Sequence, residues 1–148
     1  MERTLLPLFK GVSVIFAVSA IGTGIHALVD PVGFSRFFGM PLASPIVDNN
    51  KAVRSSTATI RNDQYSVARD YISLMGIRQL ATGVVLLIFA YQGKWTEMAT
   101  ILCTIGILVA GTDGVYLSRS GAKDLGRLHA IPGALIAALA GLLIYADF

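Results

Sequence analysis

A chain of 148 residues that is 54% hydrophobic and only 14% charged, with a mean hydropathy of +0.66, lies far from the roughly 25% charged residues of an average soluble domain and has a membrane protein's composition. Its net charge of +3 is scattered through the segments between apolar runs rather than gathered with aromatics on one surface, which argues against nucleic acid as a partner and fits basic loops beside membrane helices. A lone cysteine, Cys103, rules out an intrachain disulfide and a cysteine cluster for zinc, and at about 20 residues per span four spans and one loop use up the chain, leaving a single domain over residues 1–148.

Met1 to Pro7 reads as a flank. Leu8 to Val29 is apolar apart from Lys10, Ser13, Ser19, Thr23 and His26, long enough for a first span. Val18-Ser19-Ala20 resembles a signal-peptide cleavage site, but the apolar run continues past it, so a span is the preferred reading. Asp30-Pro31 ends this helix, because proline lacks an amide donor and restricts the residue before it. The longest polar stretch follows, from Pro31 to about Val67. Phe34, Phe37, Phe38, Met40 and Leu42 make its first part amphipathic, and the pattern predicts an interfacial helix over Val32 to Phe38. Asp48 to Tyr65, preceded by Pro45, reads as an ordered loop or a short surface helix.

Span two is expected from about Ser66 to Tyr91, closed by Gln92-Gly93-Lys94. Span three runs from about Trp95 to Leu117, with Trp95 at the membrane interface. Arg119 to Arg127 is a basic connection, and span four runs from about Leu128 to Tyr145, broken early by Pro132. The short connections make neighbouring spans antiparallel, so the expected fold is an all-α, integral membrane, up-down four-helix bundle. The loops after spans one and three carry Arg36, Lys51, Arg54, Arg61, Arg119, Lys123 and Arg127, against Arg3, Lys10 and Lys94 on the other side. The positive-inside rule therefore puts both termini on the lumenal or exterior side and the long loop in the cytoplasm. Most of the 15 glycines fall inside the spans, where they let helix backbones approach closely and leave room for a homo-oligomer.

Against this apolar background the segment Arg69 to Arg78 stands out, because ionised groups at bilayer depth cost about 2.5–3.5 kcal/mol each on insertion scales. His26, Arg69, Asp70, Asp113 and His129 all fall near the same ends of their spans, with Arg78 about two turns deeper. In an up-down bundle these groups share one layer, and such residues usually face the bundle interior and pair with one another. Tyr71, Leu74, Arg78 and Thr82 form one stripe on span two, with Asp70 about 80° away, so that Asp70 and Arg78 can border one cavity while Arg69 turns to the headgroups. Each residue also has a plainer reading: Arg78 and Asp113 as a register-fixing salt bridge, Arg69 snorkelling to lipid phosphate, and His26 and His129 capping carbonyls. Together, two acids, two arginines and two histidines exceed what register requires, and a polar pocket in an apolar wall accounts for them better.

Such a pocket suits protonation, deprotonation, isomerisation, epoxide opening or cyclisation of a lipid-soluble molecule, chemistry that needs no cofactor. Asp113 is the leading acid or base, Arg78 its partner or an oxyanion stabiliser, and Asp70, His26 and His129 are relay or orienting groups, histidine being able to titrate near neutrality. The sequence holds no nucleotide loop, no His-x-x-x-His pair and no Gly-x-Ser-x-Gly elbow, and nothing in the spacing of its acids and histidines favours a metal over hydrogen bonding. The expected partners are a lipophilic small-molecule substrate and the bilayer. The alternative is a non-catalytic binding, accessory or transport bundle whose charges are structural.

Through Arg69-Asp70 to Arg78-Gln79-Leu80, Thr112-Asp113-Gly114 and His129-Ala130-Ile131-Pro132-Gly133, most of the chain resembles a family of small four-pass membrane proteins of unassigned function, found in filamentous fungi and some bacteria and distantly similar to DoxX-like proteins. The resemblance implies an enzyme of secondary-metabolite biosynthesis, such as a cyclase or isomerase acting on a polyketide or terpenoid intermediate. For a fungal member it implies the endoplasmic reticulum membrane.

Overall fold

The computed structural model describes residues 2–42, 56–121 and 123–147. They form α1 (Glu2–Val29), α2 (Pro31–Phe37), α3 (Ser56–Tyr91), α4 (Trp95–Ile105), a π-helical turn (Gly106–Ala110), α5 (Gly111–Arg119) and α6 (Lys123–Asp147). Among the described residues four stretches are long and apolar enough to cross a membrane: Leu5–Val29, Asn62–Tyr91, Trp95–Arg119 and Lys123–Tyr145. The chain is an all-α, multi-pass membrane protein. Helices are the only open structure that satisfies every backbone amide within hydrocarbon.

Several element boundaries differ from expectation. Asp30-Pro31 ends α1 and also starts α2: the Asp30 carboxylate Oδ1 accepts the Gly33 amide at 2.8 Å, and Pro31 occupies the first turn, where its missing N–H costs nothing. Ser56 to Tyr65, expected as a loop or separate surface helix, is the first part of α3. The rest of that stretch, with Pro45, Lys51 and Arg54, lies outside the described residues. Pro132 does not break the fourth span, since α6 runs through it. Proline inside a membrane helix removes one hydrogen bond but can be accommodated by its neighbours.

Two close-packed helix pairs make up the body, α1 with α3 and the α4–α5 rod with α6. Lipid is as apolar as leucine, so these helices are held by close contact rather than by exclusion of water. A β-carbon built on Gly24 would lie 2.7 Å from the Leu80 backbone nitrogen, and one on Gly83 would lie 2.7 Å from the Ala17 carbonyl oxygen. Neither backbone can recede, so glycine is required at both contacts. The same contacts set the antiparallel register, with Gly76 against Ala27 and Leu28 and Gly83 against Ala17 and Ile21. In the other pair Gly106 meets Gly133 and Ala137, and Gly114 meets Gly126 and Ala130.

The solid core occupies one end of the bundle. Phe9, Leu86, Met98 and Leu102 are fully buried there with Ala17, Ala99, Ile136, Ala140 and Leu143. Buried Ser13 donates its hydroxyl to the Phe9 carbonyl at 2.6 Å. The α3–α4 turn closes this end with Gly93 at φ +72°, a left-handed conformation that glycine adopts without cost. Lys10 lies over the Trp95 ring, 4.8 Å from its centroid, as expected for an aromatic-and-cation belt at a membrane interface. At the opposite end α2 folds back across the helices.

Candidate functional site

α2 is a lid of aromatic residues. The i, i+4 pair Phe34 and Phe38 stack with ring centroids 4.7 Å apart. Phe34 meets the His26 ring edge-on at 5.7 Å, Phe37 meets it at 6.3 Å, and Phe38 lies on the His129 ring at 4.4 Å. The lid thereby joins the end of α1 to the start of α6. Pro31 and Ser35 are buried on its other side, where the Ser35 hydroxyl donates to the Val32 carbonyl at 2.8 Å.

Beneath the lid lies a cavity of about 560 Å³ between the two helix pairs. Phe16, Ser19, Ala20 and Thr23 of α1, Met75, Gly76 and Gln79 of α3, Val109 and Ala110 of the π turn, Asp113 of α5, and Leu128, His129, Pro132 and Gly133 of α6 line it, with Phe34, Phe37 and Phe38 above. Its size and its mostly apolar wall with a few polar groups are those of a small-molecule site. A second cavity of about 430 Å³ lies between α3 and α5, and Asp113, Phe34, Phe38 and Met75 belong to the walls of both.

The π turn explains the placement of Asp113. Gly106 and Gly114 both pack on α6, yet eight residues advance a regular α-helix by about 800°, leaving them some 80° out of phase. A π turn takes one extra residue, which absorbs the mismatch and keeps both glycines on the α6 face. Asp113 is one position before Gly114, hence about 100° to the side, on the cavity flank of the interface. In an uninterrupted helix it would sit only about 20° from Gly106 and point at the α6 backbone.

His129 has a defined tautomer. Its Nδ1 lies 2.9 Å from the Leu125 carbonyl oxygen, and a carbonyl only accepts, so Nδ1 carries the proton and Nε2 remains to give or take one. Asp113 of α5 and His129 of α6 both line the first cavity, on helices that pack against each other. Pro132, a further wall residue, removes the amide that would bond the Leu128 carbonyl, which leaves an acceptor beside His129. Asp113 and His129 are the metal-capable donors here, and among the described residues no group of three histidine, cysteine or acidic side chains is gathered for a metal.

The other charged candidates lie elsewhere. Arg69, Asp70 and Arg78 are exposed and line neither cavity. Gly76 opposes Ala27 and Leu28, so Asp70, about 9 Å further along α3, is beyond the end of α1, level with the lid rather than in the same layer as Asp113. Arg78 shares the level of His26 but points away from the bundle. It stands about 200° around the helix from the packed Gly76, and among the described residues the Arg78–Asp113 salt bridge of the plainer reading is not formed. The salt bridge found among the described residues joins exposed Arg127 and Asp124 at 3.9 Å. His26 is exposed and supports the lid from outside the cavity.

Sequence reasoning missed Gln79, Thr23 and the lid's role as a wall. The signal for Gln79 was present: Gly76 and Gly83, seven residues apart, mark the packed face of α3, and Gln79 sits next to that face whereas Arg78 does not.

The family described as a domain of unknown function, DUF4267, matches residues 17–143, and the chain belongs to it. None of the curated proteins and none of the solved structures matches the chain. The matched region includes the lid, all of α3 to α5, most of α6, α1 from Ala17 onward, and every cavity residue named above except Phe16.

Proposed function

We propose that this protein is a membrane-embedded acid/base enzyme, an isomerase or cyclase, acting on a lipophilic small molecule held beneath α2. The observation that carries this reading is that Asp113 and His129 line one cavity whose wall is otherwise nearly apolar. A proton removed from one carbon by the free Nε2 of His129 and a proton returned at another position by Asp113 leave the substrate's composition unchanged. That is the net change of an isomerisation or a ring closure, and general acid–base groups placed in this way contribute roughly 10²–10⁴-fold each. The Leu128 carbonyl, Thr23 and Gln79 offer further polar contacts for orienting a substrate oxygen. His26 acts through the lid, and Arg78, Asp70 and Arg69 act at the membrane interface rather than on the reacting atoms.

The reading includes an orientation. Arg36, Arg119, Lys123 and Arg127 cluster at the lid end and Lys10 and Lys94 at the other, so the lid faces the cytoplasm by the positive-inside rule. Membrane helices at this site favour a substrate drawn from the bilayer, such as a polyketide or terpenoid intermediate.

The test does not require the natural substrate. Purified protein is incubated in D₂O with a panel of straight-chain and cyclic enones, and deuterium uptake at carbon is followed by mass spectrometry. Wild-type protein is expected to catalyse uptake, with Asp113→Asn and His129→Gln each slower by about 10²–10⁴-fold while remaining folded. Folded variants exchanging at the wild-type rate would overturn the reading. Binding of the panel without any catalysed exchange would favour a carrier or accessory role for the same cavity.

A further inference from the structure

The two cavities meet at one carboxyl group. Asp113 belongs to both walls, as do Phe34, Phe38 and Met75. The first cavity, at about 560 Å³, is already large enough for a drug-sized ligand, so a compact substrate would leave the second unexplained. The second has a different character. Apart from Asp113 no carboxylate, histidine, lysine or arginine lines it; its wall is Ser35, Met40, Leu42, Ala68, Ile72 and Leu117, with Tyr71 and Tyr116 at the rim. Those two tyrosines are 66% and 68% exposed, one on each side of a gap between α3 and α5, which form no packed interface with one another. Among the described residues the gap is spanned by α2 and the residues just after it. Tyrosine is enriched where a membrane protein meets the headgroup layer, so the gap opens sideways at that depth rather than into the packed end of the bundle.

A molecule dissolved in the bilayer can reach this opening without crossing water, and an apolar channel with a single carboxyl part-way along it matches an apolar chain with one polar group part-way along it. We propose that both cavities are filled by one elongated lipophile, which enters between α3 and α5, carries its reactive group internally at Asp113, and rests one apolar arm in each cavity. The inference rests on the proposed function only for the chemistry at Asp113; the two-armed occupancy rests on the cavities themselves.

The probe is a straight-chain ketone with its carbonyl mid-chain and a diazirine at one end, photolysed on the detergent-solubilised full chain and mapped by peptide mass spectrometry. Since either arm can lie inward, cross-links are expected on both sides of Asp113, at Tyr71 or Tyr116 and at Phe16 or Thr23. Ala68→Trp and, one turn on, Ile72→Trp fill only the second cavity. Each is expected to lower labelling of Phe16 and Thr23 by about tenfold, equivalent to about 1.4 kcal/mol of binding. Wild-type labels confined to one cavity, or inner labels unchanged in a folded tryptophan variant, would overturn the proposal, and the wild-type map decides even if neither variant folds. The two readings fail separately. Labels in one cavity with Asp113-dependent deuterium uptake would overturn the two-armed occupant alone, whereas labels in both with Asp113-independent uptake would overturn the acid/base chemistry alone.

Discussion

The two ends of the bundle are built on opposite principles. At the end holding the start of α1, the end of α6 and the Gly93 turn, Phe9, Leu86, Met98 and Leu102 are wholly buried and interlock with alanines from all four spans. At the lid end the two helix pairs part from one another, and the space between them is left as two cavities bridged by Phe34 and Phe37 of a 7-residue helix and Phe38 at its C-cap. In water a hydrophobic core forms because apolar surface avoids solvent, but in a bilayer each helix is already in an apolar medium, and only van der Waals contact and hydrogen bonds reward association. The closed end therefore supplies the contact that holds the two helix pairs together. The lid end is free to keep a space that contributes no packing, and it is the end that carries Asp113 and His129.

The largest effect expected from this contrast comes from truncating one side chain at each end. Leu102 is 0% exposed in the closed core, and Leu102→Ala is expected to cost about 2 kcal/mol, the low end of the 2–5 kcal/mol seen in soluble cores. The loss here is packing and residual cavity rather than transfer to water. Val109, on the wall of the cavity and 51% exposed, is expected to cost under about 0.5 kcal/mol on conversion to alanine. Denaturation of both variants in mixed micelles checks the pair. Equal costs would mean that the lid end is as tightly packed as the core.

A smaller effect isolates the lid. Asp30 caps α2 through Gly33, and Asp30→Ala should cost about 1 kcal/mol. Because α2 is short and reaches the second helix pair through its rings, that loss is expected as local opening: faster amide hydrogen exchange in residues 33–38, with no change in the closed core. Exchange that accelerated equally in α4 would show the lid to be part of the global cooperative unit.

How much of this was legible in the sequence differs between the same two ends. Four spans, their antiparallel order and an amphipathic helix after Asp30-Pro31 follow from hydropathy, short turns and proline chemistry, and they are what the fold contains. The groups at the lid end were harder to place, because charge announces itself in a membrane sequence while direction does not. Asp113 and His129 fall on the cavity. For Asp113 the reason is the π turn, and no residue pattern before Gly106 announces a π turn except, in hindsight, the eight-residue spacing of Gly106 and Gly114. Arg78 drew attention as the deepest charge, yet the packed face of α3 is written in its glycines, Gly76 and Gly83, and the arginine is on the other side. In a helix pair held by contact, the smallest residues give direction more reliably than the charged ones.

That lesson yields the smallest expected effect. Arg78 is exposed at the level of His26, about one turn from the end of α1, so its aliphatic stem can rest against the lipid-facing side of α3 and carry the guanidinium outward to the headgroups. Arg78→Gln removes a charge with no protein partner among the described residues and is expected to change stability by no more than about 0.5 kcal/mol. Because Arg78 and Asp113 are unpaired, on different faces of different helix pairs, the double variant Arg78→Gln/Asp113→Asn should equal the sum of the singles within about 0.3–0.5 kcal/mol. A register-fixing salt bridge predicts otherwise: each single variant would strand a charge in the bilayer and the double would recover stability, giving a coupling of about 0.5–3 kcal/mol. Such a coupling would require Arg78 to turn inward onto α5, which the close contact of Gly76 and Gly83 with α1 does not permit without rotating α3 and breaking the closed end as well.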